Sequence, residues 1–178
     1  IPFPGRFDGT LDGGGSSIYD ITIRISGQGI YGLMSAVGYG TVKNLKLYNV
    51  NITSDYKGSD YVSAGAVAGS VNTGGIIEDV SVSGINISSF SYGLNYVGGI
   101  AGGLTGGKIY NCYITGNGVI KGSGYVGGIA GMAMPGSQIE YCDVYSATAI
   151  TYSYSDNNGY IGGIVGYSKN SSVTHCYF

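Results

Sequence analysis

Ile77-Glu78-Asp79-Val80-Ser81-Val82 sets apolar residues at its first, fourth and sixth positions and a carboxylate at its third. The same order appears upstream as Ile18-Tyr19-Asp20-Ile21-Thr22-Ile23 and Val42-Lys43-Asn44-Leu45-Lys46-Leu47. Downstream it returns as Ile109-Tyr110-Asn111-Cys112-Tyr113-Ile114, Ile139-Glu140-Tyr141-Cys142-Asp143-Val144 and Val173-Thr174-His175-Cys176-Tyr177-Phe178. First residues of consecutive copies lie 24, 35, 32, 30 and 34 positions apart. Six ordered copies at such a period mark a repeat architecture, which governs the reading of everything else.

Two weaker patterns accompany most of the copies. Upstream of the later ones stand Tyr96-Val97-Gly98-Gly99-Ile100-Ala101-Gly102, Tyr125-Val126-Gly127-Gly128-Ile129-Ala130-Gly131 and Tyr160-Ile161-Gly162-Gly163-Ile164-Val165-Gly166. A version two residues longer starts at Tyr61, and a partial one at Tyr31. Downstream come Val50 and Ile52, Ile85 and Ile87, Val119 and Ile120, and Ala149 and Ile150. Each unit therefore offers about three short strand-like segments bounded by Gly, Ser and Asn.

Composition restricts how such units can fold. Of 178 residues 35 are Gly and 18 are Tyr, with 43% hydrophobic and 10% charged. Glycine in a helix interior costs ~1 kcal/mol relative to alanine, which excludes a helical bundle. A chain this apolar and weakly charged does not follow the usual route to disorder. One unit cannot enclose its own apolar side, but units stacked at the ~4.8 Å strand spacing join those sides into a continuous core. The expectation is an all-β parallel β-helix, a β-solenoid of six coils, one per copy. It forms a single domain over residues 1–178, with 1–17 leading in, 18–178 stacked, and the last coil uncapped.

Alignment of the copies gives columns. Leu45, Val80, Cys112, Cys142 and Cys176 share an inward position, where cysteine reads as a small, buried, reduced hydrophobe. A Cys112–Cys142 disulfide and a metal site at His175 and Cys176 are the competing readings. Parallel Cβ vectors oppose the first, and the lack of a C-x-x-C spacing opposes the second. Asp20, Asn44, Asp79 and Asn111, continued by Tyr141 and His175, form a polar column at a bend, suited to hydrogen bonding from coil to coil. A cation site there is the alternative, although amides separate the carboxylates. No metal, cofactor or catalytic residue is assigned.

Tyr61, Tyr96, Tyr125 and Tyr160 recur at one position, and Tyr110, Tyr113, Tyr152 and Tyr154 suggest a second patch. These rings either contact a ligand, a glycan or a receptor, or pack across coils for ~0.5–1.5 kcal/mol per favourable pair. Asn51, Asn86 and Asn170 head N-glycosylation acceptor triplets. A net charge of −2 with eight scattered Lys and Arg disfavours nucleic acid. Nothing approaches the ~18 apolar residues that a membrane helix needs. The start at Ile1 shows no leader, which suggests a mature or excised chain.

Gly99-Ile100-Ala101-Gly102, Gly128-Ile129-Ala130-Gly131 and Gly163-Ile164-Val165-Gly166 resemble the GLUG-motif repeats, with Ile in place of Leu. The opening from Phe3-Pro4-Gly5-Arg6-Phe7-Asp8-Gly9-Thr10 through Ser17-Ile18 is similar to the segment that starts such arrays, while Gly32-Leu33-Met34-Ser35 and Ala66-Val67-Ala68-Gly69 depart from the motif. The resemblance implies a right-handed β-solenoid, secreted or on the cell surface. Such repeats occur in large bacterial and archaeal extracellular proteins, adhesin-like proteins among them, and in the non-catalytic part of IgA-specific metallopeptidases. They supply no catalytic residue. The expected function is a non-catalytic structural or adhesive module. Its uncapped last coil leaves two readings open: a chain cut from a longer array, or an end covered by a further copy of itself, which would build a filament. A glycan- or receptor-binding surface built on tyrosine is the alternative. A polysaccharide-active enzyme comes third, because the acidic residues are dispersed.

Overall fold

The computed structural model describes residues 3–145, 148–153 and 159–178. Among the described residues there is no helix, and the strands that stack from turn to turn pair in parallel. Each turn passes through three sheets. Sheet A holds six strands, from Phe3–Phe7 to Val165–Ser168. Sheet B holds twelve, many of them short, and sheet C holds five, from Gly29–Tyr31 to Tyr160–Gly162. The second turn shows the plan: Met34–Val37 in sheet A, Thr41–Ser54 in sheet B and Val62–Gly65 in sheet C. Five turns are complete. The sixth sequence copy contributes Val165–Ser168 to sheet A and Ser172–Thr174 to sheet B.

Alternation explains the core. Along Thr41–Ser54, Val42, Leu45, Leu47, Val50 and Ile52 are buried, and each lies opposite its counterpart in Ile76–Ser88. The Leu47, Val82 and Ile114 stack and the Ile52, Ile87 and Ile120 stack run through consecutive turns without a break. Every inward side chain thus meets others above, below and across, which one unit alone could not provide.

The first turn begins earlier than the repeat predicts. Leu11, not Ile18, pairs with Val42, whereas Ile18 pairs with Leu47. Residues 3–12 are therefore the opening part of turn one, in sheets A and B, rather than a lead-in. With Leu11 as the first copy the initial step is 31 residues instead of 24. The cause is local: Gly13-Gly14-Gly15-Ser16 stands opposite only two residues of the second turn, Asn44 and Leu45, so the apolar pattern restarts at Ile18 in a shifted register.

Sheet B is folded at left-handed corners. Asn44, Asp79, Asn111, Tyr141 and His175 have φ of 53°, 54°, 51°, 53° and 53°. Such a conformation costs an L residue roughly 1–2 kcal/mol, least for Asn and Asp, whose short polar side chains bond locally. A second corner carries Asp20 and Asn49, both at φ 56°, and then Gly84 at φ 70° and Gly116 at φ 77°. Asp20 thus belongs beside Asn49, not at the head of the Asn44 column, as the pairing of Tyr19 with Tyr48 requires.

Candidate functional site

The columns differ in what they do. Cys112 and Cys142 are fully buried, Cys176 is half-buried, and all three are free thiols. Each lies one turn beyond the last on the inward side, with its Sγ directed at backbone carbonyls: Cys112 to Tyr110 at 3.2 Å and Cys142 to Glu140 at 3.2 Å. Burial pushes the Cys112 thiol well above the ordinary range. Among the described residues no group of three or more His, Cys, Asp or Glu is placed to hold a metal ion.

The corner column bonds side chain to side chain. Asn44 Nδ2 donates to Asp12 Oδ1 at 2.9 Å, and Asn111 Nδ2 donates to Asp79 Oδ1. At the second corner Asn49 Nδ2 donates to Asp20 Oδ1 at 3.0 Å. The bond from Asn44, then the Gly14 N–H, holds the Asp12 carboxyl below its usual range. At Asp8 the Arg6 bond and then the Tyr39 N–H have the same effect.

The tyrosine ladder lies on sheet C, with one misplaced member. Tyr96, Tyr125 and Tyr160 are in register. Tyr61 is not, because Ser63 lies opposite Tyr96. Ser63 is buried, its Oγ–H donating to Gly69 O at 2.7 Å, and the Tyr61 ring reaches Tyr96 edge-on at 5.4 Å. The two extra residues of that unit shift the tyrosine out of the column. Tyr96 and Tyr125 stack at 5.3 Å and 21°, and Tyr125 also stacks on Tyr167 at 4.9 Å. Burial raises the phenols of Tyr61 and Tyr96. Tyr96 is only 8% exposed, Tyr160 54%. The ladder thus packs mostly on itself in the middle of the stack and opens toward the fifth turn.

Two depressions are lined by tyrosines. One, of about 480 Å³, lies beside the ladder and is lined by Tyr92, Leu94, Tyr96, Tyr125, Tyr152 and Tyr160 with serines between them. Its floor is a closed polar network: Asn95 Nδ2 donates to Ser89 Oγ at 2.9 Å, the Ser123 N–H to Asn95 Oδ1 at 3.0 Å, and Ser123 Oγ–H to Ser91 O at 2.7 Å. The other, of about 440 Å³, lies at the outer corner of sheet B between Tyr110, Asn111, Tyr113, Tyr141, Asp143, His175 and Tyr177. Tyr152 belongs to the first and so is separated from Tyr110 and Tyr113, while Tyr154 lies outside the described residues.

Sequence reasoning missed Tyr167 and the serine network. Tyr167 lies opposite Met132, which in turn lies opposite Gly103, so its column shows no common chemistry from which to infer a role. Asn51 and Asn86 face each other on adjacent turns, and Asn86 Nδ2, the atom a glycan would occupy, donates to Asn51 Oδ1 at 2.9 Å. Asn170 is exposed at a left-handed corner with φ 48°.

Fold and corners together define the class, a parallel β-solenoid carrying the GLUG motif, whose family model matches residues 93–120. Over 97 residues the chain is 39% identical to halomucin of Haloquadratum walsbyi, spanning 54% of this chain and 1% of halomucin. Among solved structures it superposes, with a TM-score of 0.61 and 21% identity, on a Bacteroides ovatus protein described as a candidate immunoglobulin A1 protease. That match covers 93% of this chain and 58% of the other, and it shows a shared fold.

The motif has a physical meaning here. A Cβ on Gly99 would lie 2.2 Å from Gly128 O in the following turn. A Cβ on Gly102 would lie 2.2 Å from Ser63 Oγ and 2.5 Å from Ala64 N in the turn before. Gly128 and Gly131 repeat the arrangement, against Gly163 O at 2.1 Å and Val97 N at 2.4 Å. The two glycines of the motif thus admit one neighbouring turn each, and the apolar pair between them, Ile100 and Ala101, is fully buried.

Proposed function

We propose that the chain is a non-catalytic structural repeat module of an extracellular or cell-surface protein. The observation that supports this best is the use of the GLUG residues: Gly99 and Gly102 serve the nesting of one turn on the next rather than a pocket. Halomucin, of which this chain spans 1%, supports a module set within a far longer protein. Antibody raised against the folded chain should label intact, unpermeabilised cells of the source organism. Labelling that appears only after permeabilisation would overturn the location. Incubation with polysaccharides and with immunoglobulin A1 tests the absence of catalysis, and turnover of either would overturn that part.

A glycan- or receptor-contacting role is the second reading. The depression beside Tyr96, Tyr125 and Tyr160 favours it, since phenol rings offer an apolar face and a polar tip to a partner. A glycan array with Tyr125→Ala and Tyr160→Ala as controls would separate the readings; binding lost in both variants favours the second.

A further inference from the structure

The corner column changes character along the stack. Turns two to four place Asn44, Asp79 and Asn111 at the left-handed bend, residues that tolerate it, whereas the next two positions hold Tyr141 and His175 at the same φ of 53°. Tyrosine rarely occupies that conformation, whereas histidine does so more often than most residues. Here they gather with others: Tyr110 meets Tyr141 edge-on at 5.5 Å and 80°, and His175 stacks on Tyr141 at 4.8 Å and 12°. Tyr113, which also lines the cleft, stacks on Tyr145 at 6.4 Å and 23°, and Tyr177 lies in register with Asp143. Rings therefore wall the cleft in two orientations near a right angle. Asp143 is fixed between them, its Oδ2 accepting the Tyr145 hydroxyl at 2.8 Å and its Oδ1 the Tyr177 N–H at 3.2 Å.

We propose that this cleft binds an organic ammonium group. Phenol faces carry negative quadrupole potential, and a carboxylate adds a full charge, the combination that recognises quaternary and alkylated ammonium ions. Among the described residues no Lys or Arg lines the cleft; Lys108 lies on the adjoining face with Glu78 and Glu140. An anion would meet Asp143 unfavourably. A neutral ring would gain from the tyrosines but not from the carboxylate's charge.

The test uses the full chain and two probes of one shape. Choline and 3,3-dimethylbutan-1-ol, in which carbon replaces nitrogen, are titrated while amide shifts of residues 110–113, 141–145 and 175–177 are followed by NMR. Choline should bind about 3- to 30-fold more tightly than its neutral counterpart. Asp143→Asn and Tyr141→Asn should each reduce that preference toward unity. Tyr141→Asn introduces the residue that Asn44 and Asn111 already supply in this column, so the fold should survive, with circular dichroism as the check. Equal binding of the two probes, no binding of choline, or a preference unchanged in both variants would overturn the assignment. The structural-module reading does not depend on this outcome, because cell labelling tests it separately.

Discussion

Replacing Gly99 by alanine would place a Cβ 2.2 Å from Gly128 O, 2.9 Å from Ile114 Cδ1 and 3.0 Å from Ile120 Cδ1. Carbon contacts are comfortable near ~3.5–4.0 Å, so the next turn would have to retreat by roughly 1 Å or more. Gly99 N also donates to Gly128 O at 3.0 Å, a bond that the retreat would break. Overpacking of a core costs typically ~1–3 kcal/mol, and a lost hydrogen bond ~0.5–1.5 kcal/mol. Against this stands the ~0.4–1 kcal/mol gained when alanine narrows the unfolded ensemble. The steric effect wins, with a net loss of about 0.5–4 kcal/mol. Gly103, four residues on, provides the matched control: its Cβ would meet Met132 Cε, Ser63 Oγ and Tyr96 Cδ2 at 3.6–3.7 Å, which is ordinary contact. Gly103→Ala should therefore be neutral or stabilising by up to about 1 kcal/mol. Urea unfolding followed by far-ultraviolet circular dichroism gives both midpoints, with slopes compared because repeat arrays can lose two-state behaviour. A Gly99→Ala midpoint at or above that of the parent chain, or an equal fall in Gly103→Ala, would refute the reasoning that the motif glycines are required by coil contact.

Further outcomes follow from the corners, the cysteines and the carboxylates. Asn111→Ala keeps the left-handed bend but loses the bond to Asp79, so it should cost about 1–3 kcal/mol, and Asn111→Gly should recover part of that in the same unfolding assay. In native protein Ellman's reagent should titrate Cys176 while Cys112 and Cys142 react only after unfolding; three fast native thiols would contradict the burial of the column. Asp8 and Asp12 have carboxyls held below their unfolded range, so their contribution is present above about pH 4 and is lost as pH falls through the lowered values. Protection factors at residues 3–12, taken against the intrinsic exchange rate at each pH, should fall on acidification before those of the middle turns do, and Asp8→Asn should flatten that response. The raised thiol of Cys112 and phenol of Tyr96 work at the other end: their contribution is present below the ordinary ranges of ~8.5 and ~10 and declines as pH rises through the folded values. Thermal melts between pH 8 and 11 would show that fall, and Cys112→Val should remove the thiol's share.

The fold was legible because a stacked coil imposes chemistry on columns. Leu45, Val80 and Cys112 must all be apolar, as each is covered by the next, and their recurrence is visible without any structure. Register was less legible wherever a unit changed length. Three glycines before Ser16 shifted the first copy and carried Asp20 from one corner to the other, and two extra residues moved Tyr61 out of the ladder while Ser63 took its place. The outer cleft was hidden for another reason. Tyr141 and His175 share a column of the alignment and stack as neighbours on it, but Tyr110 belongs to the adjoining column, and no spacing within a unit says that its ring turns onto Tyr141.

The two kinds of corner differ in what they permit. At the motif corner the space is filled by neighbouring backbone, so a single carbon on Gly99 or Gly128 collides with a carbonyl, and only glycine fits. At the sheet B corner φ stays between 51° and 54° whether the residue is Asn, Asp, Tyr or His. Intrinsic preference alone would not hold a tyrosine there, since the left-handed region penalises it. What holds it is pairing on both sides of the bend, through Glu140 with Tyr110 and Asp143 with Tyr113, which leaves the intervening residue no other path. The neighbouring turn thus sets the backbone of this corner and leaves its outward side chain free to differ. A solenoid can change the chemistry of that edge from amide to aromatic without altering its coil, and the cleft between Tyr110, Tyr141 and Asp143 occupies this permissive edge.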